Sequence, residues 1–325
     1  MRILRGICTP LLILVTLAFS CSKPDEPSHD LLGDAGRLLD PDTSVLLVAS
    51  IPEFADSEAY RHVEAELMEV DGMADVVEQL GKPLSEAVER VVVAMTPAEA
   101  GEGRPHESSL HVVLETSLDD GFLHGVMSGA DHGFEVEMVG ETAVWVHHEP
   151  DVSVALVQFP DGYLGFGHAD AVRAMVEREG RGSGGLPSNA ETLKVVGEMA
   201  DGAMAWGVGR VDDAIAAGLP DEAGDVSGLR YGIMAATRDA AGDTILNARA
   251  IAKSAGQAQD VEDRVQLLLG LGALSNDMDP VLSDVLASLS VRRSENVLDL
   301  RVVIGPEFMK SLLGSGDMPL LRDRH

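Results

Sequence analysis

His147-His148-Glu149 is the densest run of metal-ligating residue types in the chain. Imidazole and carboxylate both bind zinc. Adjacent strand residues point to opposite faces, so His147 and His148 cannot share one ion without a bulge. A zinc pair there would instead combine His148 with Glu135 on a neighbouring strand; the competing reading is a solvated strand end. His111 and Glu115 share one face of a strand, four residues apart, too far to close on one ion. His132 and His168 fall in turn-like contexts that suit capping. Asn276-Asp277-Met278-Asp279 begins as a calcium loop does. Pro280 and Val281 then stand where such a loop needs an oxygen ligand and a glycine, which leaves Asp279 as a helix cap. Asp221, Glu222 and Asp225 lie in a Gly/Pro loop that could meet calcium or simply solvent. Gly207-Val208-Gly209 lacks the third glycine of a phosphate loop, and Gly270-Leu271-Gly272 sits in a helical pattern. GxSxG, CxxC and HExxH do not occur. The expectation is a chain without catalytic residues, metal or cofactor.

The elements that would position these residues read as an α+β body in two similar halves. Ser44–Ser50, Arg90–Met95 and Leu110–Glu115 are apolar runs of strand length. A helix with Tyr60, Val63, Leu67, Val70, Ala74 and Val77 at helical spacing separates the first two. After a helix at Leu118–Met127, Phe134–Val139 and Thr142–His147 flank Gly140-Glu141, which predicts a hairpin on a type II′ turn. Pairing Val139 with Thr142 groups Phe134, Val136, Met138, Ala143, Trp145 and His147 on the expected buried face, with Glu135 and Glu137 turned to solvent. Strands at Val152–Gln158 and Tyr163–Phe166 and a helix at Ala169–Glu179 follow, before the break Gly180–Gly185.

The second half repeats this order. Ala203–Gly209 is its first strand, and a helix is expected at Asp212–Ala217. Leu229–Thr237 and Thr244–Ala252 form a hairpin. A long helix around Val261–Leu269 and a second at Val281–Leu289 come next. Leu289–Arg293 and Val297–Ile304 form the last hairpin, with Leu298, Leu300, Val302 and Ile304 on one face, ahead of a short helix around Glu307–Leu313. Each half is expected to be an antiparallel sheet with helices packed on one face, an internal duplication, though the two sheets could also join. Trp145 and Trp206 lie in apolar strand patterns and read as core.

At the N-terminus, Arg2 and Arg5 precede the apolar run Leu11–Phe19, which ends at Ser20-Cys21 and a Pro/Ser-rich stretch. The run is too short to span a bilayer and suits a signal sequence. With its cysteine directly behind the run, this segment resembles the lipobox of bacterial lipoproteins. Ala18 and Phe19 depart from the usual Leu and small residue, and an ordinary secretory signal cleaved nearby is the other reading. The resemblance implies cleavage before Cys21, acylation of Cys21 and, with Ser22 next, delivery to the outer membrane of the cell envelope. The expected organisation is a signal peptide over 1–20, a lipidated flexible tether over 21–40, and modules over 41–185 and 186–325. Cys8 lies inside the signal, so a chain cleaved there keeps one cysteine and can form no internal disulfide.

The charge bounds the partners. Twenty-four Lys+Arg against 54 Asp+Glu leave a formal −30. Loss of residues 1–20 removes Arg2 and Arg5 and no acid, giving −32. Such a surface lacks the basic face that nucleic acid requires, and it is repelled by anionic lipid. A membrane contact then rests on acyl chains. The functional expectation is a membrane-anchored, non-enzymatic exported component (binding, scaffold or envelope) with an unknown protein or lipid partner. The alternatives are a carrier of a hydrophobic ligand in a cleft between the modules, and an envelope hydrolase assembled from distant strands.

Overall fold

A computed structural model describes residues 31–55, 60–61, 64–65, 68, 77–78, 80–96, 109–129, 133–148, 152–182, 184–187, 190–211, 227–239, 243–273 and 280–305. The strands are β1 (Val45–Ser50), β2 (Val88–Thr96), β3 (Ser109–Thr116), β4 (Glu135–Val139), β5 (Thr142–His148), β6 (Ser153–Phe159), β7 (Tyr163–His168), β8 (Ala205–Arg210), β9 (Leu229–Arg238), β10 (Thr244–Ala252), β11 (Ser290–Ser294) and β12 (Val297–Ile304). The helices are α1 (Phe122–Gly129), α2 (Ala169–Arg181), α3 (Glu191–Ala200), α4 (Ala255–Ala273) and α5 (Pro280–Ser288), joined by a 3-10 helix at Gly33–Leu38 and a helical turn at Leu84–Ala87.

All twelve described strands form one antiparallel sheet in the order β11-β12-β10-β9-β8-β1-β2-β3-β7-β6-β5-β4. The two expected sheets are therefore joined. β1 and β8 close the junction with a ladder running from Val45↔Gly209 to Ala49↔Ala205, where the carrier reading needs a cleft between modules. The Gly/Ser break expected as a boundary or exposed loop is exposed at Gly180, Arg181, Gly182 and Gly184, and the chain turns inward directly after it. Leu186 is buried, and its N–H donates to the carbonyls of Gly36 and Leu39.

Helices cover both faces, not one. Residues directly opposite on antiparallel strands share a face, so the register assigns sides. One face carries Val48, Val92, Val113, Val157, Trp206 and Ile233, and α2 and α3 pack on it through Val172, Met175, Leu193 and Val196. α1 packs on the other face. The Leu123 N–H donates to Gln158 Oε1 at 2.9 Å, and the His124 and Trp145 ring centroids lie 6.0 Å apart. α4 also lies there: Arg293, on the Leu298 side of β11, bonds Glu262 at 2.7 Å, and α5 is tied to the sheet by Ser288 Oγ, which both donates to and accepts from the Val303 backbone. The physical reason is in the strands. Val91–Ala94 and Val112-Val113 are buried without alternation, and a run apolar on both sides needs cover on both.

The predicted hairpin forms with Val139 opposite Thr142, and Gly140 adopts φ +62° while Glu141 does not enter positive φ, as a type II′ turn requires. Its expected buried face holds at Trp145 of β5 and is corrected on β4. Val136 and Met138 are 58% and 62% exposed, whereas Val144 and Val146, on the Glu135/Glu137 side, are buried. β4 is the edge strand, and α2 reaches over its glutamate side, where Arg173 Nε donates to Glu137 Oε1 at 2.6 Å. A Val136→Thr change is expected to leave stability within about 0.5 kcal/mol. Val144→Ala should cost about 2 kcal/mol or more, and denaturant midpoints for the two variants check the reassignment.

The expected spacer also ends early. Leu32, Ala35, Leu38 and Leu39 are buried, a spacing of three that suits the tight 3-10 repeat at Gly33–Leu38. This segment therefore belongs to the body and not to a flexible tether reaching residue 40.

Candidate functional site

The 3-10 helix Gly33–Leu38 joins the two ends of a polar seam on the α2/α3 face, one by the Arg90 end of β2 and the other at His111. At the first end β2, β3 and β7 place Arg90, Glu115 and Tyr163 side by side. The Tyr163 hydroxyl donates to Glu115 Oε1 at 3.5 Å, and Arg90 Nε lies 3.5 Å from Glu115 Oε2. Arg37 stacks its guanidinium 5.5 Å from the Tyr163 ring centre and pairs with Glu179 at 2.8 Å. Burial, then the Glu115 charge, pushes the Tyr163 phenol up to about 12, so it stays a donor at neutral pH.

A cavity of about 450 Å³ opens beside Arg90 and Glu115, lined also by Ser50, Ser85, Glu86 and Glu89. Arg90 Nη1 and Glu115 Oε2 are buried without a hydrogen-bond partner among the described residues. Carboxylates around one guanidinium suit a small polar or cationic molecule and do not suit an acyl chain.

At the other end of the 3-10 helix, Arg178 of α2 donates from Nε and Nη2 to the Leu38 carbonyl at 3.1 and 2.9 Å, and Nη1 lies 3.4 Å from Asp40 Oδ2. Under this clamp is His111, 1% exposed, with both ring nitrogens unpartnered among the described residues. Burial, reinforced by the Arg178 charge, lowers its pKa to about 4 against the weaker pull of Asp40. The imidazole is therefore neutral at physiological pH.

The residues singled out for metal do not converge. His148 and Glu135 share a face, but His148 Nδ1 lies 2.9 Å from Ser153 Oγ, its direct cross-strand partner. His147 Nδ1 donates to the Gly133 carbonyl at 2.9 Å, and its ring lies against Phe134. Among the described residues no three His, Cys, Asp or Glu side chains are placed to hold an ion. The His148–Ser153 and His124–Ser128 contacts join the groups of a hydrolase dyad, but both sit on exposed surface away from the cavity. His168 occupies the N-cap position of α2 without making the expected side-chain cap. Trp145 and Trp206 are buried, as core residues should be. Cys21, His132, the Asp221/Glu222/Asp225 loop and Asn276–Asp279 lie outside the described residues.

The seam's own members were not anticipated as a group. Arg90 at the head of an apolar strand and His111 within Leu110–Leu114 are the signals that mark it: polar residues at strand positions that burial must satisfy. Among the described residues no helix is long and apolar enough to cross a membrane. Comparison with protein-family models, with curated proteins and with solved structures finds no match to this chain.

Proposed function

We propose that this chain is an exported envelope protein held on a membrane, the outer membrane by its Ser22, through acyl chains on Cys21. Its body then serves as a binding or scaffold component and not as a catalyst. The observation that carries the reading is Cys21 itself: it directly follows the apolar run Leu11–Phe19, and residues 22–325 contain no other cysteine. Two or three acyl chains, at about 0.8 kcal/mol per buried methylene, would hold a body that its own charge repels from anionic lipid. The buried Leu32 lies eleven residues after Cys21, so the span between them is at most roughly 40 Å of extended chain. Growth with labelled palmitate should mark the protein and place it in the membrane fraction. Cys21→Ala should remove the label and release the protein. Wild-type protein recovered soluble and unlabelled would overturn the reading.

The two halves are read as copies of one duplicated unit. Outward from the β1–β8 seam the order is β1-β2-β3-β7-β6 on one side and β8-β9-β10-β12-β11 on the other, with β4–β5 an added outer hairpin. α1 and α4 support this, since they occupy the same place in the chain order and the same face. Superposition of the five strand pairs in an experimental structure, by one rotation about the seam, is the check.

A further inference from the structure

The sheet ends in two edges, β4 and β11, and neither is paired on its outer side among the described residues. Their chemistry is opposite. β4 presents Glu135 and Glu137, with Val136 and Met138 more than half exposed, while β11 reads Ser290-Val291-Arg292-Arg293-Ser294. Followed through successive pairings, the row of side chains that starts at Glu135 on β4 ends at Arg292 on β11. The next row, on the other face, starts at Val136 and ends at Val291.

We propose that these edges are the two halves of one interface and that the partner is a second copy of this chain, β4 of one copy pairing antiparallel with β11 of the next. Twelve alternating strands leave β4 and β11 running in opposite directions, so a copy added in the same orientation continues the antiparallel sheet. Extending the rows sets Glu135 opposite Arg292 and Val136 opposite Val291, with Phe134 beside Arg293. Glu137 is already held by Arg173 of α2, which leaves Glu135 as the acid of the edge. Charge selects this pairing over its alternatives. Two β4 edges would oppose glutamates, two β11 edges would oppose arginines, and like charges placed opposite each other destabilise a sheet. The contact is head-to-tail and consumes neither copy's second edge, so it propagates as an open, twisted row and not as a closed dimer. It uses no part of the N-terminal anchor and stands or falls apart from acylation.

Sedimentation velocity on the full chain in mild detergent, from micromolar to hundreds of micromolar, should show species beyond dimer that grow with concentration. Glu135→Arg and Arg292→Glu should each weaken association about tenfold. The chain carrying both changes, or an equal mixture of the two single variants, should restore it. Hydrogen exchange on the wild type gives a readout without mutation: amides of 135–139 and of 290–294 should slow together on concentration. A monomer throughout the range, a closed dimer, association that the single variants leave unchanged, or protection of one edge alone would overturn the proposal.

Discussion

A Gly162→Ala chain is expected to lose about 3 kcal/mol of stability or more. Phe159 pairs with Tyr163 across Pro160-Asp161-Gly162, and this tight loop holds Asp161 at φ +64° and Gly162 at φ +80°. A Cβ on Gly162 would sit 2.2 Å from the Thr116 carbonyl oxygen, which is backbone and cannot swing away. The same junction carries the Thr116 hydroxyl bond to the Gly162 carbonyl at 2.7 Å, so relief of the clash breaks that contact too. Gly182 provides the control. It has φ +60° with open space around it, and Gly182→Ala should cost only the left-handed strain, about 1 kcal/mol. Equal losses in the two variants, read from urea midpoints, would show that the collision is not what makes Gly162 necessary.

Lowering the pH from about 6.5 to 4 should cost the wild type about 3 kcal/mol through His111 alone. The sign follows from where the proton binds. In the unfolded chain His111 takes a proton near its ordinary 6.5, whereas in the fold burial and Arg178 defer protonation to about 4. Between these values the unfolded state holds the extra proton, so stability is complete above 6.5, falls through the window and is flat below it. The groups facing His111 are Arg178 from α2, Asp40 beyond the 3-10 helix and His168 of β7. Among the described residues only Asp40 offers the imidazolium a counter-charge. His111→Leu removes two unpartnered ring nitrogens and should be at least as stable as wild type at pH 7. Its advantage should widen by about 3 kcal/mol at pH 4. Parallel stability curves for the two proteins across that range would refute the assignment.

These two results bear on the seam that ties the N-terminal segment to the sheet. Arg178 holds the Leu38 carbonyl, and Leu186 donates to Gly36 and Leu39, so residues 32–39 are held from both α2 and the link between the halves.

Local structure was legible in the amino-acid order because its causes are local. Period-two alternation, a Gly-first turn at Gly140-Glu141 and runs of Val and Leu act over a few residues, and the strands and hairpins fall within a few residues of where those patterns put them. The apolar stretch Arg90–Met95 signalled a strand, but not the cover it receives on both sides. Burial in the β4–β5 hairpin was not legible, since Val136 and Val144 carry the same side chain. Which of them meets a helix depends on α2 returning from distant sequence to lie over the glutamate side. The seam was hidden for the same reason. Arg90, Glu115 and Tyr163 become neighbours only when β7 pairs with β3, and Arg178 reaches Leu38 across 140 positions of chain. The sequence by itself determined the elements, their turns and the acidic surface. The tertiary structure alone decided the strand order, the two covered faces and the two opposite edges, because non-local pairing and not side-chain identity chooses which polar groups are buried and which backbone is left open.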